Sequence, residues 1–319
     1  MTISDSILAT IGATPLVALD RLAAGLPARV LAKIEFANPG ASIKDRIALQ
    51  MVEAAERSGQ LLPGGTVVEL TSGNTGTGLA IVCAVKGYRF IAVMSEGNSV
   101  ERRRMLEALG ATVELVAQPS GHHPGEVSGD DLAAVDRRTA ELVTELGAFR
   151  ADQFHNPANS AAHENGTAEE IWRQTAGTVT AFLATVGTGG TFVGVTRGLK
   201  RHNPAIRAYA VEPAGAPVLA GRAVSQSRHK IQGAGYGEAP GLWDPSLADG
   251  YFTVTDDEAI ACARALARQE GIFAGFSSGA NVHAALQLAR DDAGGFIVTT
   301  INDSGLKYLS TDLFSSGAL

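Results

Sequence analysis

The sequence predicts an α/β protein with two domains, each a three-layer arrangement of a mainly parallel sheet covered by helices. Two observations carry this prediction. Short apolar runs alternate with longer segments of helical period, first over residues 66–116 and again over residues 180–301. A middle region rich in turn-forming residues separates the two series, and 319 residues suffice for two domains of ordinary size.

The first series predicts strands and helices in strict alternation, which implies a parallel sheet. Its predicted elements are strand 66–70, helix 76–86, strand 89–94, helix 100–109 and strand 111–116. Turn-forming residues then indicate a loop over residues 118–130. A further helix is expected over residues 131–147.

The second series repeats the alternation after residue 180. Its predicted elements are strand 180–186, helix 191–202, strand 206–212, strand 251–254, helix 256–270, helix 278–290 and strand 295–301. We expect a smaller, mobile domain over residues 36–150 and a larger domain formed by residues 1–35 and 151–319. In open sheets of this kind, ligands bind at the carboxyl ends of the strands.

Composition and charge exclude several classes of function. Apolar residues make up 45% of the chain and charged residues 18%, which favours a packed core over disorder. The net charge is −7, and the densest basic run, residues 102–104, is typical of a solvated helix face, so nucleic acid is a poor candidate partner. We expect a cytoplasmic protein, since no stretch reaches the ~20 apolar residues of a membrane span and no signal peptide is evident. Cys83 and Cys262, in apolar or helical stretches, are expected to be buried thiols.

Lys44 is the first candidate functional residue. The run Ser42-Ile43-Lys44-Asp45 fits a capping box with Ser42 as the N-cap, which places Lys44 in the first turn of a helix. There the helix dipole and desolvation would lower the pKa of the lysine and make it nucleophilic. The alternative is an exposed lysine at an ordinary helix start.

Three loops between strands and helices are candidate binding sites. Residues 71–76 (Thr-Ser-Gly-Asn-Thr-Gly) offer hydroxyls, an amide and backbone N–H groups to a small anion such as a carboxylate, or they form a capped turn. Residues 187–191 (Gly-Thr-Gly-Gly-Thr) suit a phosphate, because three glycines leave the backbone amides unshielded. In residues 275–280, a serine either caps the following helix or points its hydroxyl into a cleft.

Taken together, these features fit a cofactor with an aldehyde and a phosphate, and pyridoxal phosphate has both. A nicotinamide dinucleotide fits poorly, because Phe192 occupies the last glycine position of the Gly-x-Gly-x-x-Gly fingerprint. A Walker loop is excluded, since no Gly-Lys-Ser/Thr follows the glycines.

At these residues the sequence resembles the cysteine synthase and cystathionine β-synthase family of fold-type II pyridoxal-phosphate enzymes, whose architecture is similar to that of the tryptophan synthase β subunit. Four motifs match in colinear order, at residues 38–46, 71–76, 187–191 and 275–280. Shorter matches lie at residues 14–16, 153–159 and 229–233. The resemblance therefore covers nearly the whole chain.

The resemblance implies a role for each motif residue. Lys44 would form the Schiff base with pyridoxal phosphate and later remove the α-proton of the substrate. Asn74 would hydrogen-bond the 3′-oxygen of the cofactor, and Ser277 would face its pyridine nitrogen. The cofactor phosphate would be held by Gly187, Thr188, Gly189, Gly190 and Thr191. The substrate would be bound by Thr71, Ser72, Gly73, Thr75, Gln153 and Gly233.

The implied reaction is β-replacement. An O-activated L-serine, either O-acetylserine or O-phosphoserine, would react with sulfide or another thiol-like nucleophile through an aminoacrylate to give L-cysteine or a cysteine-like amino acid. A neutral Ser277 hydroxyl opposite the pyridine nitrogen favours loss of a β-leaving group over transamination. The family also implies a homodimer whose partners are a small amino-acid substrate and a small nucleophile. Alternatives are a cystathionine-forming β-synthase, a serine/threonine dehydratase and a scaffold protein that keeps the fold.

Departures from the family pattern leave the acceptor open. Ala41 replaces a glycine before the lysine, which is a small change. Residues 233–238 (Gly-Ala-Gly-Tyr-Gly-Glu) differ from many cysteine synthases, and Tyr236 resembles the cystathionine-forming branch. Trp243 has no family counterpart. We expect these last residues to border the entrance of the nucleophile.

Two further groups of residues have open interpretations. Arg222 and Arg228 either bind the phosphate of O-phosphoserine or lie on the surface. His122 and His123 form part of a polar loop or a metal pair. Adjacent histidines lack the spacing and further partners of a metal site, so no metal is expected.

Overall fold

The computed structural model describes residues 3–119, 121, 127, 129–226 and 228–314. His122 and His123 lie outside the described residues, so both interpretations of that pair stay open. The chain forms two compact units. Unit 1 contains Lys44–Ala158 with the N-terminal residues up to Ile11, and unit 2 contains Gly12–Ile43 with the residues from Asn159 onward. The predicted domain of residues 36–150 stays a prediction, because it concerns mobility rather than contacts.

The strands and helices of the two alternating series are present in the predicted order. The strands are β1 Leu16–Ala18, β2 Arg29–Ile34, β3 Thr66–Leu70, β4 Arg89–Ser95, β5 Thr112–Val116, β6 Phe149–Arg150, β7 Ala181–Thr185, β8 Arg207–Pro213, β9 Gly250–Val254 and β10 Phe296–Ile301. The helices are α1 Lys44–Ser58, α2 Asn74–Lys86, α3 Val100–Ala108, α4 Gly129–Leu146, α5 Pro157–Ala162, α6 Ala168–Gln174, α7 Gly190–His202, α8 Asp256–Ala265 and α9 Phe276–Asp291. Of these, β1, β2, β6, α5 and α6 are additional to the predicted elements.

Unit 1 is built on a parallel sheet with the strand order β5-β4-β3-β6 among the residues described. The central strands β3 and β4 are apolar and buried along most of their length, as strands covered on both faces must be. On one face, Val68, Ile91 and Val93 pack against Val135 and Leu142 of α4. The carboxyl end of β3 leads directly into residues 71–76 and α2.

Unit 2 contains a larger sheet with the order β1-β2-β10-β7-β8-β9, in which β1 and β2 are antiparallel and the other described pairs are parallel. One face is covered by α8 and α9, and the other by α6 and α7. The prediction of two mainly parallel sheets covered by helices is confirmed. None of the described helices is long and apolar enough to cross a membrane.

A buried ion pair anchors the antiparallel edge of this sheet. The Lys33 side chain has no exposed surface, and its Nζ lies 2.6 Å from Oε2 of Glu170 on α6. The same Nζ donates to the Thr14 carbonyl at 2.6 Å and to Gln174 Oε1 at 2.9 Å. Thr14 in turn donates its hydroxyl to Glu35 Oε1 at 2.7 Å. The Thr-Pro-Leu motif at residues 14–16 is thereby part of a buried polar network.

The predicted capping box at Ser42 stays a prediction. Helix α1 begins at Lys44, and the backbone of Ser42, two residues earlier, forms an isolated β-bridge with Asp303. Pairing of the Ser42 backbone in the bridge fixes the chain before the helix. Lys44 nevertheless lies in the first turn, as predicted.

Candidate active site

Each unit contains candidate functional residues, and those of each unit are described separately. In unit 1, Lys44 is the first residue of α1 and is half-buried. Helices α1 and α2 approach closely at Gly78. A methyl group on Gly78 would lie 2.9 Å from the Ala48 Cβ and 3.2 Å from the Lys44 carbonyl oxygen. A side chain at this position would push away the first turn that carries Lys44, so Gly78 helps to position the lysine.

Thr71 closes the turn between β3 and α2. Its side-chain oxygen accepts a hydrogen bond of 2.9 Å from the Gly76 backbone N–H in the first turn of α2. A methyl group on Gly76 would lie 2.8 Å from the Thr71 Cγ2, so glycine is needed for this contact. Thr71 thus caps the helix, and its hydroxyl hydrogen is still available for donation to an anion. The capped turn and the anion site are therefore compatible interpretations of the same loop.

Thr75 and Gln153, distant in sequence, are in direct contact. The Thr75 hydroxyl donates to Gln153 Oε1 at 2.6 Å, which makes the amide nitrogen the donor end of the glutamine side chain. Behind them, the buried Glu69 accepts a hydrogen bond of 2.7 Å from the Asp152 backbone N–H and another from the backbone of Gln153. Burial raises the pKa of Glu69 from 4.5 to about 7, although these N–H donors oppose the shift.

Asn74 and Ser72 complete the cluster in unit 1. Asn74 is the first residue of α2, directly after the Gly73 N-cap, so it stands at the positive end of the helix dipole. The Ser72 Oγ lies 3.5 Å from Nη1 of Arg102 on α3. Arg102 is half-buried, whereas Arg103 is exposed and forms an ion pair along its own helix. The expected solvated face therefore holds for Arg103, whereas Arg102 contacts the loop at residues 71–76, which the sequence pattern did not reveal.

In unit 2, residues 187–191 connect β7 to the N-terminus of α7. Glycine is required at two of these positions because neighbouring atoms of the protein leave no space for a side chain. A methyl group on Gly187 would overlap the Gly233 carbonyl oxygen, and one on Gly190 would overlap Asn159 Oδ1. Gly189, with φ +88°, has a left-handed conformation that few other residues adopt. The structure thus brings Gly233 and the predicted phosphate loop into contact.

Two polar residues that the sequence analysis did not assign hold the threonines of this loop. Asn159 Nδ2 donates to Thr188 Oγ1 at 2.9 Å, and the Gly190 backbone N–H lies 3.4 Å from the same oxygen. His163 is fully buried, and its Nε2 lies 3.2 Å from Thr191 Oγ1. Asn159 ended one of the shorter family matches, which was the available signal, whereas His163 stood in no motif.

Ser277 lies in the first turn of α9, and the helix cap is Gly275. No side chain caps this helix, so the interpretation of a serine as the helix cap is wrong for this loop. The Ser277 oxygen accepts a hydrogen bond of 3.1 Å from Asn302 Nδ2, and Ser278 Oγ accepts one of 3.0 Å from the Asn302 backbone N–H. Ser277 is 7% exposed, so its hydroxyl lies in a largely desolvated position.

The residues that were expected to border the entrance have different surroundings. Trp243 packs on Phe192 of α7, with ring centroids 5.3 Å apart, and its backbone nitrogen would lie 3.2 Å from a methyl group on Gly189. It therefore supports the loop at residues 187–191, and the expectation that it borders an entrance stays a prediction. Tyr236 is 50% exposed. Arg222 and Arg228 are both exposed, as their surface interpretation requires.

These groups fit pyridoxal phosphate by their chemistry. The N-terminus of α7, with the hydroxyls of residues 187–191, provides neutral donors for a phosphate dianion. Ser277 provides a hydroxyl that already accepts a hydrogen bond and so can donate its own hydrogen to a ring nitrogen. In unit 1, Lys44 supplies the amine that an aldehyde requires, and Asn74 supplies an amide donor at a helix N-terminus. Each functional group of the cofactor has a matching group in the protein.

Comparisons with known proteins agree with this assignment. A family model described as pyridoxal-phosphate dependent enzyme matches residues 7–303. The chain therefore belongs to the family of pyridoxal-phosphate-dependent enzymes. It is 45% identical to a cysteine synthase of Staphylococcus aureus, over 98% of this chain and 97% of that protein.

Two solved structures have the same fold. The structure of an O-ureido-L-serine synthase matches with a TM-score of 0.91 and 42% identity, covering 99% of this chain and 96% of that one. A cysteine synthase of Entamoeba histolytica also matches with a TM-score of 0.91, at 37% identity over 98% of this chain and 91% of that one. The resemblance to the cysteine synthase family and the pyridoxal-phosphate dependence are confirmed.

Proposed function

We propose that this enzyme catalyses β-replacement on an O-activated L-serine, with O-acetylserine as the first candidate, to give L-cysteine or a cysteine-like amino acid. The observation that carries the proposal is the neutral, largely buried hydroxyl of Ser277 in unit 2. A carboxylate opposite the ring nitrogen would keep that nitrogen protonated, whereas a hydroxyl does not. β-Elimination and addition are then favoured over transamination or racemisation.

The cofactor, when bound, withdraws electron density from the α-carbon of the substrate. Lys44 would hold the cofactor through Nζ, and the same nitrogen would accept the α-proton of the substrate. Lys44 is the first residue of α1, so its backbone stands at the positive end of the helix dipole. Close packing at Gly78 limits the movement of this turn.

The substrate carboxylate is bound by Thr71, Ser72, Gly73, Thr75 and Gln153. Thr71 and Gln153 are suited to this because their oxygens already accept hydrogen bonds, so that a hydroxyl hydrogen and an amide nitrogen are the ends that donate to an anion. Asn74 binds the 3′-oxygen of the cofactor. Oriented donors of this kind hold the α-carbon in place while Lys44 removes its proton.

The phosphate is held by the backbone N–H groups and hydroxyls of residues 187–191 at the N-terminus of α7. Asn159 and His163 fix the two threonines of this loop through their hydroxyl oxygens. Gly233, whose carbonyl oxygen lies against Gly187, contributes to the binding of the substrate. Neutral donors and a helix dipole thus replace a lysine or arginine as the partner of the phosphate.

The acceptor nucleophile is sulfide or another small nucleophile. The similarity to the cysteine synthase of Staphylococcus aureus favours sulfide. The similar structure of an O-ureido-L-serine synthase favours a second candidate, since β-replacement would form that product with N-hydroxyurea as the nucleophile. A cystathionine-forming reaction and serine/threonine dehydration are the alternatives that product analysis must separate from these two.

On family grounds we also propose that the enzyme is a cytoplasmic homodimer. Sedimentation equilibrium of the purified holoenzyme measures the oligomeric state directly. A mass of about 66 kDa, twice the 32.9 kDa of the chain, is expected, and a monomer mass would contradict the proposal.

The role of Lys44 is tested by absorption spectroscopy. The purified enzyme should show the visible band of lysine-bound pyridoxal phosphate, and Lys44→Ala should lose it. Lys86→Ala is the matched control, because Lys86 ends α2 in the same unit and pairs with Glu56. An unchanged visible band in Lys44→Ala would exclude Lys44 as the anchor.

The reaction is tested by product analysis. O-Acetylserine and O-phosphoserine are each incubated with the enzyme and with sulfide, homocysteine or N-hydroxyurea, and the amino acids formed are identified by mass spectrometry. We expect O-acetylserine with sulfide to give cysteine. If no combination gives a substituted amino acid while threonine yields 2-oxobutyrate, the enzyme is a dehydratase and β-replacement is wrong.

A further inference from the structure

A group of polar residues lies where β7, β10 and the first turn of α9 meet in unit 2. Its members are connected by hydrogen bonds and lie at the carboxyl ends of the two strands or on the helix. They are Thr185, Ser277, Ser278, Asn281, Thr300 and Asn302. Among them, Ser277 has a proposed role towards the cofactor, and the others had none from the sequence.

The orientation of this network is set by a backbone donor. The Thr185 backbone N–H can only donate, and it donates to Asn281 Oδ1 at 2.6 Å. The amide nitrogen of Asn281 must therefore point the other way, where it donates to the Thr300 carbonyl at 2.8 Å and to Thr300 Oγ1 at 3.1 Å. Since Thr300 Oγ1 accepts from Asn281, its own hydrogen is directed elsewhere.

That hydrogen goes to Asn302. Thr300 Oγ1 donates to Asn302 Oδ1 at 2.7 Å, which fixes the carbonyl end of the second amide. Asn302 Nδ2 then faces two hydroxyl oxygens and donates to Ser277 Oγ at 3.1 Å and to Thr185 Oγ1 at 3.2 Å. The direction of donation therefore runs from a backbone N–H, through two amides and one hydroxyl, to Ser277.

The consequence for Ser277 is that its oxygen is used as an acceptor. Its hydroxyl hydrogen must be donated to something other than Asn302, and no acceptor for it lies among the residues that the structure describes. At 7% exposure, water satisfies such a hydrogen poorly. A ring nitrogen with a lone pair is the kind of acceptor that this geometry fits, whereas a protonated ring nitrogen would place two donors against each other.

We infer that Asn302 is a positioning residue, which fixes the Ser277 hydroxyl as a donor and thereby keeps the ring nitrogen of the cofactor unprotonated. The inference rests on the proposed function, in which Ser277 faces that nitrogen. Ser277 alone does not determine the protonation state, because a hydroxyl can either donate or accept. Whether the Ser277 hydroxyl donates or accepts is determined by Asn302 and by the residues that orient it, Asn281 and Thr300.

The substitution Asn302→Asp tests this with little change in shape. An aspartate can accept but not donate at this position, so Ser277 would turn its hydrogen towards residue 302 and present its lone pairs to the ring nitrogen. Holoenzymes are prepared with pyridoxal phosphate carrying ¹⁵N in the ring, and the ¹⁵N chemical shift of that nitrogen is measured from pH 6 to pH 9. We expect a neutral-pyridine shift in the wild type and a shift towards that of a pyridinium in Asn302→Asp.

Matched variants separate the possible causes. Asn203→Asp introduces the same charge at an exposed helix end of the same unit and should leave the wild-type signal unchanged. Ser277→Asp places a carboxylate directly against the ring and provides the reference for a protonated nitrogen. Asn302→Ala removes the donor without adding a charge. In that variant the ¹⁵N signal should become pH-dependent, and the Kd of the cofactor should rise by no more than roughly tenfold, as expected for one hydrogen bond.

The results distinguish the inference from the proposal on which it depends. If Ser277→Asp moves the ¹⁵N signal while Asn302→Asp and Asn302→Ala both keep the wild-type signal, the role of Asn302 is wrong and the contact of Ser277 stands. If Ser277→Asp also leaves the signal unchanged, Ser277 does not face the ring nitrogen and both statements are wrong. Should Asn302→Asp fail to fold, Asn302→Ala alone decides the inference.

Discussion

The burial of Glu69, in the strand that leads into residues 71–76, can be tested by measuring the stability of the protein as a function of pH. This carboxyl group is 2% exposed at the end of β3 and accepts a hydrogen bond of 2.7 Å from the Asp152 backbone N–H. Burial raises its pKa from 4.5 to about 7. The substitution Glu69→Gln keeps an acceptor oxygen towards Asp152 and removes the ability to ionise.

The sign of the effect follows from proton linkage. Because the folded-state pKa of Glu69 lies above its unfolded value, the folded chain binds a proton between pH 4.5 and about pH 7 that the unfolded chain releases. The free energy of unfolding therefore falls as the pH rises through this window, and the loss is complete above the folded-state pKa. The two pKa values correspond to a loss on the order of 3 kcal/mol.

Chemical denaturation of both holoenzymes at pH values from 5 to 8 measures this contribution. The unfolding free energy of Glu69→Gln minus that of the wild type should rise by most of about 3 kcal/mol across the series. Glu96→Gln, which makes the same change at an exposed site in unit 1, should show a difference that does not vary with pH. Parallel pH profiles for Glu69→Gln and the wild type would refute the assignment of a buried neutral carboxyl.

Three further predictions test the site and the core. Thr75→Val removes the 2.6 Å hydrogen bond to Gln153, so the KM for the amino-acid substrate should rise by about fivefold to tenfold with little change in kcat. A loss in kcat of the same size would contradict a role in substrate binding. Glu170→Ala leaves Lys33 buried without its carboxylate and should lower the free energy of unfolding by about 3–5 kcal/mol, whereas a loss below about 1 kcal/mol would refute this. Cys83 is 1% exposed, and burial raises the pKa of its thiol to about 12, so thiol reagents should label its peptide only after unfolding, and rapid labelling of the native enzyme would disagree.

The fold was predictable where the periodicity was simple. Strand β3 matches its predicted range, because a parallel strand covered on both faces is apolar along most of its length. Strand β2 was not predicted, since Lys33 interrupts an otherwise apolar run, and lysines are rarely buried. The partner that makes this burial possible is Glu170, which is distant in the sequence and adjacent only in the folded unit.

Some residues of the candidate site were also predictable from the sequence, and others were not. The motifs identified Lys44 and Ser277, since a family resemblance reports residues that stand in a fixed local pattern. Asn302, Asn159 and His163 were not identified, because their importance lies in which side chain they contact, and those contacts join separate elements. For the serines of residues 275–280, the local sequence favoured a helix cap, whereas α9 has no side-chain cap.

In the structure, the glycines of residues 187–191 have a second role besides exposing backbone amides. From the sequence, they leave backbone amides unshielded for a phosphate. In the structure, the Gly233 carbonyl oxygen and Asn159 Oδ1 already occupy the space that side chains at Gly187 and Gly190 would need. The loop is therefore held in shape by contacts within the protein, and Asn159 also fixes a hydroxyl of the same loop. A loop ordered in this way loses little conformational entropy when a ligand binds, so more of the interaction energy with a phosphate is available for affinity.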